Sequence, residues 1–197
     1  MSRTRKNNMK KKSRSKTYRK KDYGSGDGML TSVWGPSMWH YLHTMSFNYP
    51  VKPTKEDKRH YRRFMESLQY VLPCGHCRTN LTRNYNAFPL KDRHFANRDR
   101  FSRYVYRLHE TINKMLGKQS GLSYCDVRER YEHFRARCTE DDKLFNFEKE
   151  SKREKGCTEP LYGKKAKCVI RIVPQEEKCP TLTIDEKCIK RRKKKSS

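Results

Sequence analysis

Between Asn97 and Gly117 the chain sets Phe101, Tyr104, Val105, Leu108, Ile112, Met115 and Leu116 at the spacing of one helical face. Asn97 supplies a side-chain cap at the start, and Gly117, flanked by Lys114 and Lys118, supplies the stop. This stretch is predicted to be a helix, and no other segment constrains the fold as strongly. At 100° per residue, His109 and Asn113 fall about 80° and about 120° from Phe101. They therefore lie one above the other on the border of the apolar stripe.

The same reasoning marks the neighbouring helices. A first helix begins at Gly35-Pro36, with Pro at its opening position, and ends before Pro50; its apolar side is Trp39, Leu42, His43 and Ser46. Thr54 followed by Asp57 reads as the cap of a second, which carries Tyr61, Phe64, Leu68, Val71 and Leu72 up to Pro73. Cys74-Gly75-His76-Cys77 opens a third, with Leu81 and Tyr85 at i+4 and i+8 from Cys77. After the Asn97 helix, Ser123 and Asp126 start a short fifth through Val127, Tyr131 and Phe134. The predicted fold class is all-α, a four-helix bundle with a fifth short helix. One short strand is predicted in CVIRIVP, ended by Pro174.

Composition divides the chain. Lys and Arg number 48 against 22 Asp and Glu, a net charge of +26. Residues 1–22 hold eleven Lys/Arg against Asp22 alone, and residues 187–197 hold seven with no acid, leaving +9 for everything between. The predicted organisation is a basic disordered arm (1–33), the helical bundle (34–138), a charged linker (139–156), a Cys-rich extension (157–189) and a basic tail (190–197). No stretch approaches the roughly 18 to 20 apolar residues of a membrane span, and no apolar segment follows the basic start as in a secretory signal. Residues 1–22 offer only Met1, Met9 and Tyr18 as apolar groups, which disfavours an amphipathic mitochondrial presequence. The basic runs read either as solubilising tails or as weak contacts to polyanions; KRRKKK could also serve as a nuclear signal.

Eight cysteines without a secretory signal favour metal binding or redox chemistry over a passive disulfide framework. Cys74 and Cys77 at a helix start suit thiol exchange, because unpaired N–H groups and the helix dipole stabilise a thiolate there. Zinc is the rival reading, but no second Cys-x-x-Cys and no His-x3-5-His completes a standard site. CGHC also matches the active site of thioredoxin-fold disulfide isomerases; that fold brings a strand into the motif, whereas here a helix and Pro73 precede it. The competing functional class is a basic, Cys-rich zinc or nucleic-acid-binding module without catalysis.

Four segments in order carry a more specific resemblance. Trp34-Gly35-Pro-Ser-Met-Trp39-His-Tyr-Leu-His43, Cys74-x-x-Cys77, Leu108-His109-Glu-Thr-Ile112-Asn113-Lys-Met-Leu-Gly117-Lys118 and Val127-x-x-Arg130-Tyr131 resemble the FAD-linked sulfhydryl oxidases of the Erv/ALR family, over roughly residues 33–138. The resemblance implies a helical bundle that cradles FAD, oxidises protein dithiols and passes two electrons to O2 to give H2O2. It implies that Cys77 is the flavin-proximal sulfur, which forms the thiolate–flavin charge-transfer contact, and that Cys74 is the outer sulfur attacked in exchange. Gly35, Trp39, His43, His109, Asn113, Lys118 and Tyr131 occupy the positions expected to hold FAD. Aromatic planes can pack against a flavin or adenine ring, imidazole and amide groups can bond its polar edges, and Lys118 can meet a phosphate. A homodimer is implied as well.

The chain departs from the family pattern at Glu110, within the usual His-Asn-x-Val-Asn, and at Tyr131, where Trp is common. A structural disulfide near the bundle's end has Cys125 and Cys138 as candidates, yet unbroken helix would hold them about 20 Å apart, against the ~4.4 to 6.8 Å that a disulfide spans between Cα atoms. No cysteine precedes Cys74, so the N-terminal shuttle pair of several relatives is missing. For Cys157, Cys168, Cys179 and Cys188, stabilising disulfides, a shuttle dithiol and a metal cluster all stay open. The GCTEPLYGKK-type extension looks most like the versions encoded by large DNA viruses, which implies work in the host cytoplasm or the virion.

Overall fold

The structure, a computed structural model, describes residues 20–26, 28–139, 156–174, 176–180 and 182–189. Its helices are α1 (Lys20–Tyr23), α2 (Thr31–Asn48), α3 (Lys55–Val71), α4 (Gly75–Ala87), α5 (Arg98–Met115) and α6 (Tyr124–Glu132), with a 3-10 turn at Asp92–Phe95. Helices α2 to α5 form the bundle and α6 is the short addition, so the all-α expectation holds. None of these helices is long and apolar enough to cross a membrane.

Local chemistry sets most boundaries. Thr54 and Asp57 close a reciprocal capping box on α3, and Ser123 and Asp126 do the same on α6. Asn97 accepts from the Arg100 N–H at 2.9 Å. At the far end of α5, Gly117 takes φ +67°. Its N–H reaches Lys114 O at 3.1 Å while the Lys118 N–H reaches Asn113 O at 2.8 Å. That is a Schellman closure, which a left-handed glycine makes without steric cost.

Two expectations need correction. Helix α2 starts at Thr31, a full turn before Gly35-Pro36, and Pro36 lies inside it. The proline forfeits only its own bond to the Ser32 carbonyl. Leu30 O meanwhile accepts from Val33 and Trp34 N–H at 3.0 and 3.3 Å, and Trp34 Nε1 donates to Met29 O at 3.0 Å. The expected strand at 168–174 is absent; Val169, Ile170 and Ile172 are exposed, and among the described residues no strand pairs with them. Strands form instead at β1 (Ala136–Thr139) and β2 (Gly156–Pro160), antiparallel, with Arg137 opposite Glu159. The charged run between them, residues 1–19 of the arm and the tail from 190 lie outside the described residues.

The core is aromatic, with its hydroxyls accounted for. Tyr49, Phe95, Phe101, Tyr104, Val105 and Leu108 meet Leu42 of α2, Met65 and Leu68 of α3, and Leu81 and Tyr85 of α4. Tyr49 donates to Phe95 O at 2.9 Å, Tyr85 to Met65 O at 2.7 Å and Tyr104 to Phe88 O at 2.9 Å. Each bond lets a polar ring stay buried without an orphaned group, and each ties a helix to a neighbouring segment. A second cluster joins Phe47 to Tyr124, Val127 and Tyr131, seating α6 on α2.

Candidate active site

Pro73 ends one helix and Cys74 caps the next, its Sγ accepting from the Cys77 N–H at 3.2 Å. Cys74 and Cys77 are joined as a disulfide with Cα atoms 5.1 Å apart. Both are partly exposed, so the pair sits at the bundle surface at the positive end of α4. A dithiol so placed can undergo thiol–disulfide exchange, because the helix start stabilises the thiolate released.

The unexpected first turn of α2 reaches this pair. Thr31 Oγ1 lies 3.7 Å from Cys77 Sγ. Thr31, Gly35, Trp39 and His43 then follow at i+4 steps, so one face of α2 runs from the cysteines toward α5 over about 18 Å. Gly35 is buried, yet a Cβ there would make only ordinary contact with Thr31 Cγ2 at 3.6 Å. Protein packing does not demand a glycine at that point, and its absence of side chain leaves the helix backbone bare between Thr31 and Trp39.

Farther along, Trp39 stacks on the His109 ring, centroids 3.9 Å apart and planes 6° from parallel. His43 Nε2 and His109 Nδ1 are 3.0 Å apart, one donating to the other. Burial, reinforced by His109 and His40, depresses His43 to about 3, and burial lowers His109 to about 4, so both rings are neutral at physiological pH. Among the described residues, His43 Nδ1 and Asn84 Nδ2 are the buried side-chain polar atoms without a hydrogen-bond partner. Tyr131 packs against His43 and Phe47 with centroids at 5.2 and 5.5 Å, and its hydroxyl meets His40 Nδ1 at 3.3 Å.

The remaining predicted positions lie further down α5. Asn113 donates from Nδ2 to Glu110 Oε1 at 3.1 Å, which leaves its carbonyl oxygen as the available edge. Lys118 is exposed, held one turn beyond by the Schellman closure. Thr31, His40 and the orienting contact of Glu110 escaped the sequence reading; the i−4 spacing of Thr31 from Gly35 was the available signal. The helix does end, at Glu132, between the candidate partners Cys125 and Cys138, yet Cys125 is a free, exposed thiol, so the two are not paired. Cys157 is disulfide-bonded, whereas Cys168, Cys179 and Cys188 are free thiols.

The family model of Erv1/Alr matches residues 36–135. The chain belongs to the Erv1/Alr family. Its relatives include a protein of Acanthamoeba polyphaga mimivirus named as a probable FAD-linked sulfhydryl oxidase, 36% identical over 104 residues, covering 53% of this chain and 72% of that protein. The FAD-linked sulfhydryl oxidase ERV1 of Arabidopsis thaliana is 30% identical over 84 residues, 43% of this chain and 42% of that one. Among solved structures, the yeast Erv1 core aligns with a TM-score of 0.47 at 24% identity, over 59% of this chain and 92% of that one. The span matched by the family model holds both cysteines, Trp39, His43, His109 and Tyr131, while Thr31 and Gly35 lie just before it.

The buried histidines make a pH prediction. A folded-state value of about 3 for His43, against 6.5 when unfolded, means the unfolded chain takes up a proton that the fold refuses. The stabilisation is complete above pH 6.5 and is lost as pH falls toward 3. Between pH 7 and 5, His43 should cost the fold about 2 kcal/mol in urea titrations. His43→Asn should remove that share of the slope and leave the share of His109, and an unaltered slope would sink the assignment.

Proposed function

We propose that this chain is an FAD-linked sulfhydryl oxidase that forms disulfides in protein substrates through Cys74 and Cys77. The observation that carries the reading is the contact of Thr31 with Cys77 at one end of a helical face that continues through Gly35 and Trp39 to His43. A redox pair and a ring-lined face are thereby contiguous.

The residues fit FAD. Trp39 and His109 offer a flat aromatic surface, His43 Nδ1 is a buried polar atom in want of a partner, Gly35 puts no side chain between Thr31 and Trp39, and Tyr131 closes the aromatic side. Asn113 offers a carbonyl edge and Lys118 a cation for phosphate. FAD, when bound, supplies a two-electron acceptor for the reduced cysteine pair and delivers those electrons to O2. The chain's own part is dithiol exchange. A substrate thiolate attacks Cys74 Sγ and the Cys74–Cys77 bond breaks, leaving the electron pair on Cys77 Sγ. The Thr31 hydroxyl and the N-terminus of α4 stabilise that thiolate. The second substrate thiolate then attacks the substrate sulfur of the mixed disulfide, releasing Cys74 as thiolate and the substrate as a disulfide. Two thiol protons pass to solvent.

Purified protein should be yellow and should consume O2 with dithiothreitol. A colourless protein with stoichiometric zinc and steeply salt-dependent nucleic-acid binding would favour the competing class. In the structure the two sulfurs that such a zinc site needs are bonded to each other. A homodimer, weak polyanion contacts through the basic runs, and action in a virus-infected host's cytoplasm or in the virion complete the proposal. The resemblance to large DNA virus versions supports the last of these.

A further inference from the structure

The segment just before α2 is fastened beside Cys74. The Met29 N–H donates to Pro73 O at 2.8 Å, and Trp34 Nε1 holds Met29 O at 3.0 Å. A Cβ on Gly28 would stand 2.9 Å from Pro73 O and 3.2 Å from Cys74 Cα. Both are backbone atoms that cannot swing away, so only glycine lets this strap lie so close to the outer cysteine. Between strap and helix start runs a groove of about 220 Å³ lined by Gly26, Gly28, Met29, Pro73, Gly75 and Arg78.

We propose that this groove, walled by the Gly28 strap beside Cys74, receives an extended, acidic protein segment that carries the thiols to be oxidised; the proposal rests on the sulfhydryl oxidase reading. Two small Gly-rich walls admit a peptide backbone rather than a bulky side chain. Among the described residues the charged one lining it is Arg78, whose guanidinium is fixed by its bond to Leu72 O at 2.5 Å. It favours an incoming thiolate and acidic neighbours. The strap is also continuous with the most basic stretch of the chain, eleven Lys/Arg in residues 1–22, of which Lys20 and Lys21 of α1 are exposed. Lys20 and Lys21, six and five residues before Gly26 in the chain, favour an anionic segment at the groove.

The test uses the full chain with bound flavin, dithiothreitol, and two synthetic dithiol peptides of equal cysteine spacing, one flanked by Glu and one by Lys. At low salt the Glu peptide should be preferred by about tenfold in kcat/KM, and the preference should shrink as the Debye length falls from about 30 to about 8 Å. Gly28→Ala should lower kcat/KM for the Glu peptide about tenfold more than it lowers dithiothreitol turnover, because the peptide must lie along the strap and dithiothreitol need only reach Cys74. Lys20→Glu/Lys21→Glu, which disturbs no packed residue, should erase the Glu preference, and it decides the matter if Gly28→Ala misfolds. Equal rates for the two peptides in the native chain overturn the inference, as does a Gly28→Ala loss shared equally by dithiothreitol. Absent dithiothreitol turnover in the native chain instead overturns the oxidase reading beneath it.

Discussion

Cys77→Ser should abolish dithiothreitol oxidation, by more than about a thousandfold, while the protein stays folded and yellow. The loss is complete because a hydroxyl at position 77 can neither form the bond to Cys74 nor leave as the stabilised anion that exchange requires. Folding survives because α4 is capped through the Cys77 backbone N–H rather than its sulfur, and serine keeps that N–H. Thr31 Oγ1 can bond a serine hydroxyl as it meets the sulfur now. Cys125→Ser, at an exposed free thiol on α6, should leave turnover unchanged. Oxygen uptake within tenfold of the native rate in the Cys77 variant would falsify the assignment.

Phe101→Ala should cost about 3 to 5 kcal/mol of unfolding free energy, against a typical domain total of about 5 to 15. Phe101 is 0% exposed and its ring meets Tyr49, Phe95 and Tyr61 with centroids 4.9, 5.2 and 5.7 Å away. Those partners come from the end of α2, the 3-10 turn and α3, so one truncation opens a cavity shared by four segments. The neighbours are themselves pinned, Tyr49 by Phe95 O and Arg98 by Tyr49 O at 2.6 Å, and cannot collapse to fill it. Urea denaturation checks the value, and a loss below about 1 kcal/mol would mean the site relaxes more freely than its packing allows.

Legibility followed the range of the forces involved. The caps at Thr54, Asn97 and Ser123 and the Gly117 closure are visible in the sequence because each is a contact between residues three to five apart. Pro36 is a strong local signal for a later start of α2, whereas the earlier start at Thr31 follows a segment anchored by Met29 N–H on Pro73 O, 44 residues away. The strand pair was missed because four and five residues carry little periodicity, and β1 finds β2 only across a long intervening run. In CVIRIVP the alternation is genuine, but alternation without a partner does not make a strand.

The cysteine spacing, its place directly after Pro73 and the His109/Asn113 register on α5 were determined by the sequence alone, since backbone geometry within one helix leaves no other arrangement. That His43 meets His109 at 3.0 Å, that Trp39 lies on the same ring, and that Thr31 and Gly28 close on the two cysteines was decided only by tertiary packing. The paired residues are 46 to 70 positions apart and come from different segments, and what brings them together is the shared burial of aromatic faces, which no local signal encodes.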